Sequence, residues 1–372
     1  MKIGIDGNEA NLENKVGVHQ MAFEILWGLY KLEDKNKEGK KYIIYLKNQP
    51  NDDMPPERDF WKYKIIPGER LWILLKLIPE LYKSKEVEVI FTPSHYVPPI
   101  SPVPRVCMIT DLGYLKFSGQ FRKYDYWQLK IWTAISIIVS KYIIAISKST
   151  KKDIVRHYPF ASNKIKVVYL GPDDKNYTGK ISKSFMKQTL NKYRISKKYV
   201  VFMSTLKPSK NIEGLIEAFK DVKDRQNYQL VIVGKKGWLY ETIFEKINSL
   251  GLTNDVLFTD YVNDQERAAL LAGAKVLVLP SFWEGFGIDV LNAFICRIPV
   301  IVSRVASLPE VAGKAGIYID PNNIGSITKA INKVIKMSQS EYNKQTELGL
   351  KQVEKFSWAK ASQETLKIIE KT

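Results

Sequence analysis

Short runs of β-branched residues alternate with helical patterns along this whole chain, and that alternation constrains its fold more than any other feature. Lys2 to Ile5, Tyr42 to Leu46, Val89 to Phe91, Arg105 to Ile109 and Tyr142 to Ile146 read as strands in the first part. Tyr199 to Met203, Gln229 to Val233, Val256 to Phe258, Val276 to Leu279, Val300 to Val302 and Ile317 to Ile319 do so in the second. Strands that return through helices lie parallel and are covered on both faces. The predicted class is α/β, with two doubly wound Rossmann-like domains. Such sheets bind ligands beyond the carboxyl ends of their strands, so two of them facing across a cleft are expected to make one site at their junction.

A chain of 372 residues, 45% of them hydrophobic, suffices for two domains with proper cores. Between Gly171 and Lys198 the text turns to Gly, Pro, adjacent Asp residues, Lys and Ser with no strand pattern, which is where a hinge is expected. The expected division is 1–172, a linker at 173–198, and 199–356.

The two cysteines, Cys107 and Cys296, sit in apolar runs of different expected domains. They read as small buried hydrophobes in a reducing, cytoplasmic setting. Met1 leads straight into a strand run with Asp6, which leaves no apolar signal-peptide stretch. The most apolar long run, Ile131 to Ile146, is broken by Lys141 and falls short of the roughly 18 to 20 residues that span a bilayer, so it reads as helix into strand. Net charge is +18, with 31 basic and 20 acidic residues up to position 190 and 26 and 19 after it. That field favours anionic partners such as nucleotide-sugars or acidic lipid surfaces. Nucleic acid is disfavoured, because RNA-binding signatures and zinc-ligand spacings are missing.

The segment Pro280-Ser281-Phe282-Trp283-Glu284-Gly285-Phe286-Gly287-Ile288 follows a strand run and opens a helical one. A helix start offers unpaired amides and partial positive charge, and glycine lets a ligand approach the backbone. Glu284, just ahead of it, suits the neutral hydroxyls of a sugar better than a phosphate. Lys210 follows the strand run Tyr199 to Met203 and precedes Asn211, an N-cap type for the run Ile212 to Phe219, which suits it to phosphate.

These stretches resemble retaining glycosyltransferases of family 4, whose fold is called GT-B. Further collinear matches are Gly17-Val18, Thr110-Asp111, Tyr169 to Asp173, Leu206 to Asn211, Val231 to Trp238 and Ser307 to Val311, so the resemblance covers essentially the whole chain. It implies transfer of a sugar from a GDP- or UDP-linked donor to a hydroxyl of a glycan or lipid-linked acceptor. It also implies retention of configuration, a mannosyltransferase-like branch, and a last helix, about 357–372, that crosses back to the first domain. No paired-Asp motif stands at a strand end and Asp173-Asp174 falls in the expected hinge, so no metal is expected; no cofactor is expected either. Leaving-group charge would fall to Lys210 and to the amides of Phe286, Gly287 and Ile288.

Carried over residue by residue, the resemblance assigns Glu284 to donor-sugar hydroxyls, Gly17 to the donor phosphates and Tyr261-Val262 to the nucleotide base, largely through main chain. Asp111 is assigned a catalytic part. The chain also departs from the pattern. Ser209 stands where Arg is common, Thr110 where His is common, His19 near where a second Gly is common, and Arg297 where Gly is usual. Asn292 occupies the place of a second acid that contacts ribose, and its carbonyl oxygen is expected to make that contact instead. His19 and Thr110 are expected on the acceptor side.

The stretch Leu71 to Ile78, with Trp72 and flanking Lys and Arg, could lie on an anionic membrane; a core helix is the preferred explanation of the same residues. The predicted protein is therefore cytoplasmic, with the inner face of the membrane as a further location. Rival readings are a degenerate, non-catalytic partner of an active transferase, and an epimerase or phosphorylase on the same fold.

Overall fold

The computed structural model describes every residue except 121, 178–180, 238 and 239. Strands β1 (Lys2–Asp6), β2 (Lys41–Leu46), β3 (Trp61–Ile65), β4 (Val89–Thr92), β5 (Arg105–Ile109), β6 (Tyr142–Ala145) and β7 (Ile165–Val167) form one sheet in the order β3-β2-β1-β4-β5-β6-β7. Strands β8 (Lys198–Met203), β9 (Tyr228–Val233), β10 (Val256–Asp260), β11 (Val276–Leu279), β12 (Val300–Ser303) and β13 (Gly316–Ile319) form a second, ordered β10-β9-β8-β11-β12-β13. Every strand pairing within the two sheets is parallel. In each sheet the chain order reverses beside the first strand, between β1 and β4 and between β8 and β11. Those two switch points are where ligands of such sheets bind.

The central strands carry the continuous apolar runs that burial on both faces requires. β9, YQLVIV, is buried at every position. The two strands that the sequence reading lacks are edges of the first sheet. β3, WKYKI, alternates lysine with large residues and buries only Trp61, and β7 is the three-residue IKV. A one-sided or very short edge strand has no apolar run to betray it.

Two compact units result, Met1–Lys116 with Arg122–Gly171 and Phe356–Thr372, and Phe117–Phe121 with Pro172–Lys355. The segment expected as a linker, 173–198, is counted in the second unit and carries the helix Lys183–Lys192, which the Ser182 side chain caps at Phe185 N. The last helix, Trp358–Glu370, packs in the first unit against the helix Val18–Asn36. The approach is close enough that a Cβ on Gly28 would lie 1.8 Å from Ser362 Oγ.

The stretch Leu71 to Ile78 divides its residues. Trp72 and Leu77 join the core cluster with Tyr45, Leu81, Val87 and Ile90, and Trp72 Nε1 donates to Ile66 O at 2.7 Å. Leu71 and Leu75 face outward. Among the described residues no helix is long and apolar enough to cross a membrane. Cys107 and Cys296 are unpaired with each other, and burial pushes both thiols up to about 12, which removes them as thiolate nucleophiles at neutral pH.

Candidate active site

In the second unit the loops that leave β8 and β11 meet at the switch point. Lys210 Nζ lies 2.5 Å from Glu284 Oε1, and Ser281 Oγ donates to the same oxygen at 2.9 Å. Both charged side chains are nearly buried, at 9% and 13% exposure, so neither charge has much water to fall back on. Glu284 accepts from one of the three protons of the ammonium. The loops are also joined by main chain, with Phe282 N donating to Ser209 O at 2.9 Å.

Asn211 precedes the helix Ile212–Lys220 but does not cap it with its side chain. Its φ is 55°, and its Nδ2 donates to Pro280 O at 3.2 Å and Pro321 O at 2.8 Å. The expected capping side chain is instead a tie that holds the β8 loop to the β11 loop and to the loop after β13. Ser307, buried completely, places Oγ 2.9 and 3.0 Å from the carbonyl oxygens of Glu284 and Phe286 and so braces the turn that carries Glu284.

Gly287 then starts the helix Ile288–Ile295 at φ 92°, a left-handed conformation, and a Cβ there would come 2.9 Å from Leu308 Cδ2. Both conformation and space require glycine at this position. Val290 N donates to Gly287 O at 3.1 Å, and the Ile288 and Asp289 amides open the helix close to Glu284 in sequence. Asp289, in the same turn, pairs with Arg267 at 2.5 Å.

Asn292 is buried on the next turn, and its Oδ1 accepts from Asp173 N at 3.0 Å. The oxygen that the sequence reading assigns to ribose is thus engaged with the segment entering the second unit. Asp173 in turn accepts from Asn176 N and Nδ2, at 3.2 and 2.8 Å. Among the described residues no group of three or more His, Cys, Asp or Glu could hold a metal ion. Tyr261 is exposed and Val262 buried just beyond β10. Gly234, at φ 151°, packs its main chain so tightly on Ser204 O that a Cβ would meet it at 1.9 Å. Trp238, in the same expected motif, lies outside the described residues. Arg297 pairs with Glu347 at 2.6 Å on the surface.

In the first unit the loops after β1, β4 and β5 supply the other candidates. Gly17 adopts φ 57° ahead of the helix Val18–Asn36, with open space where a Cβ would stand. His19 Nδ1 lies 2.7 Å from Glu9 Oε2, off the line of a hydrogen bond. Thr110 O accepts from Thr150 Oγ1 at 2.8 Å, and Asp111 Oδ1 from Gly113 N at 2.7 Å. Two titratable groups here escaped the sequence reading. His95, after β4, is held neutral by burial against the opposing pull of Glu9 and Asp111. Asp6, the last residue of β1, is pushed up to about 6 by burial. Their position at a β1/β4 switch point was the available signal.

Residues 186–351 match the family model described as glycosyl transferases group 1. Over 234 residues the chain is 30% identical to O-antigen chain mannosyltransferase B of Escherichia coli, a match that covers 62% of this chain and 61% of that protein. It is 26% identical over 236 residues to the MMP alpha-(1->4)-mannosyltransferase of Mycolicibacterium hassiacum, covering 62% and 54%. The chain thus spans about three fifths or less of the length of these curated relatives. The fold extends over the whole chain: Anabaena HepE, solved with UDP and glucose, superposes with a TM-score of 0.77 at 18% identity over 100% of both chains. Sucrose-phosphate synthase from Thermosynechococcus elongatus gives 0.75 at 16% identity, over 100% and 98%. The architecture is therefore GT-B, two Rossmann-like domains.

Proposed function

We propose that this chain, whose residues 186–351 are a group 1 glycosyl transferase domain related to mannosyltransferases, transfers a hexose from a nucleoside diphosphate sugar to a hydroxyl of a glycan or lipid-linked acceptor. Mannose is the favoured sugar, a GDP- or UDP-linked donor the substrate, and retention of configuration the stereochemical course. The observation that carries the reading is the nearly buried Lys210–Glu284 pair at the β8/β11 switch point, beside the helix start at Gly287.

An ammonium already desolvated next to a helix N-terminus needs little reorganisation to meet a diphosphate as negative charge develops on it. When the diphosphate arrives, Lys210 exchanges one anion for another, and Glu284 is released to accept hydrogen bonds from sugar hydroxyls. Ser281, Ser307 and Asn211 hold the two loops through that exchange, so the donor meets a site formed in advance. The departing phosphate oxygen takes the acceptor proton, and no metal enters the reading. A cytoplasmic protein touching the inner face of the membrane agrees with a lipid-linked acceptor.

Thermal unfolding with saturating UDP, GDP, ADP, dTDP and CMP, each with magnesium or EDTA, tests the donor half. A ligand at about a hundred times its Kd adds about 2.7 kcal/mol, a shift of several degrees expected for one diphosphate and unchanged by EDTA. No shift with any nucleotide overturns the reading and leaves the non-catalytic alternative.

A further inference from the structure

The helix Lys123–Val139 carries apolar side chains on more than its buried face. It buries Ile137 beside the hydroxyl-bearing Thr133 and Ser136, with Ser136 Oγ donating to His95 O at 2.5 Å, and leaves other large apolar side chains in water. Tyr124, Trp127, Ile131 and Ile138 are 77%, 53%, 52% and 59% exposed. At 100° per residue these four fall within an arc of about 60°, along roughly 21 Å of helix. A surface helix that exposes its apolar stripe this way has a partner to meet.

Charge says which partner. Residues 100–166 contain twelve basic and three acidic side chains, half of the chain's net +18 in under a fifth of its length. On the helix itself Lys130 stands over the Trp127 ring at 4.8 Å, and Asp125 is its one carboxylate. Where the helix ends, Lys164 Nζ donates to Ile138 O and Ser140 O, both at 3.0 Å, and lies 5.7 Å from the ring of Phe160, itself exposed. Arg105 Nη1 donates to Pro98 O and Pro99 O. Burial and the nearby guanidinium both push the Lys164 ammonium down from its usual range. Two neighbouring cations are thus anchored on carbonyl oxygens, and no ion pair to a carboxylate joins either among the described residues.

We infer that this face of the first unit is a membrane-docking surface, on which the Tyr124–Ile138 stripe enters the interface of an anionic bilayer and Arg105 with Lys164 holds a lipid phosphate. Apolar insertion and cationic attraction are the two terms that together hold a peripheral protein on such a surface. The inference deepens the membrane contact proposed above and does not depend on the transfer chemistry. It also moves that contact away from Leu71 to Ile78, whose Trp72 belongs to the core.

Flotation of the full chain with vesicles of phosphatidylcholine, alone or mixed with phosphatidylglycerol, tests it. The protein should float with the anionic vesicles only, and high salt should release it. The variant Trp127→Ser/Ile131→Ser/Ile138→Ser should lose at least about tenfold in partitioning, and Lys164→Glu should weaken it several-fold. Both should keep the wild-type circular dichroism and rate of transfer to a soluble acceptor. Wild-type protein that stays in the soluble fraction with both vesicles, or a triple variant that floats like wild type, overturns the inference. So does light scattering that finds a dimer of the wild type and a monomer of the triple variant with no lipid binding by either. Loss of soluble transfer in the wild type would instead count against the proposed function.

Discussion

The two sheets reverse their strand order in the same way, yet their switch points are built differently. After β8 and β11 the loops are tied to each other by Lys210 to Glu284, Asn211 to Pro280, and Phe282 to Ser209. After β1, β4 and β5 the loops are held each to a different neighbour: Asn8 and Asn11 to the segment beyond β2 at Lys47, Gln49 and Asn51, His95 and Val97 to Ser136, and Thr110 to Thr150. Loops tied to one another present one geometry, whereas loops each held to a different neighbour can adjust one at a time. Under the proposed function, that difference would suit a diphosphate site in the second unit and an acceptor site in the first.

The sharpest way to break this comparison is Glu284→Ala. Transfer should fall by about a hundredfold or more, about 2.7 kcal/mol, in a protein whose circular dichroism is unchanged. Lys210 is then left nearly buried without its partner, so denaturant melts should also show lost stability. A variant that is less stable but fully active would make the pair a structural strut only. Gly287→Ala comes next: a side chain at φ 92° costs about 1 to 2 kcal/mol before Leu308 moves. Calorimetry should show weaker diphosphate binding by about tenfold, whereas Gly17→Ala, with open space, should pay only the conformational cost.

Asp6 probes the first unit alone. Its folded carboxyl titrates at about 6, above the ordinary value of 3.8, because burial disfavours the charge. A raised carboxyl contributes stability that is complete below the unfolded value and lost as pH rises through the folded one. Relative to Asp6→Asn, the wild type should therefore lose about 2 kcal/mol between pH 4 and pH 7, read from urea unfolding at each pH. A flat difference would mean Asp6 stays ionised throughout. The smallest effect belongs to His19→Ala. Its contact with Glu9 is partly exposed, so transfer rates should change less than about fivefold; a loss as large as that of Glu284→Ala would erase the contrast between the two switch points.

Much of this is legible in the amino-acid sequence. The strand runs from Lys2 to Ile319 and the last helix, Trp358–Glu370, lie where their apolar periodicity puts them. β3 was hidden because its lysines face water, and β7 because three residues carry no period. Lys210 and Glu284 were legible as separate candidates, one suited to phosphate and one to hydroxyls. That they touch was not, since they are 74 residues apart and only the packing of β8 against β11 brings them together.

Local pattern by itself determined the class, parallel sheets wrapped by helices, because burial on both faces is written as a continuous apolar run within each central strand. It also singled out the glycine-bearing turns at Gly17 and Gly287. Tertiary structure alone decided what those turns face. Asn211 ties loops where a cap was expected, Asn292 holds Asp173 where a ribose was expected, and His95 lies within reach of the fields of Glu9 and Asp111. A side-chain hydrogen bond depends on distances set by long-range packing, and identical residue types satisfy it locally in one context and across loops in another. The exposed stripe of the helix Lys123–Val139 has the same cause: Ser136 turns inward because the loop after β4 offers its hydroxyl His95 O and Val97 N, a fact that no periodicity in the helix contains.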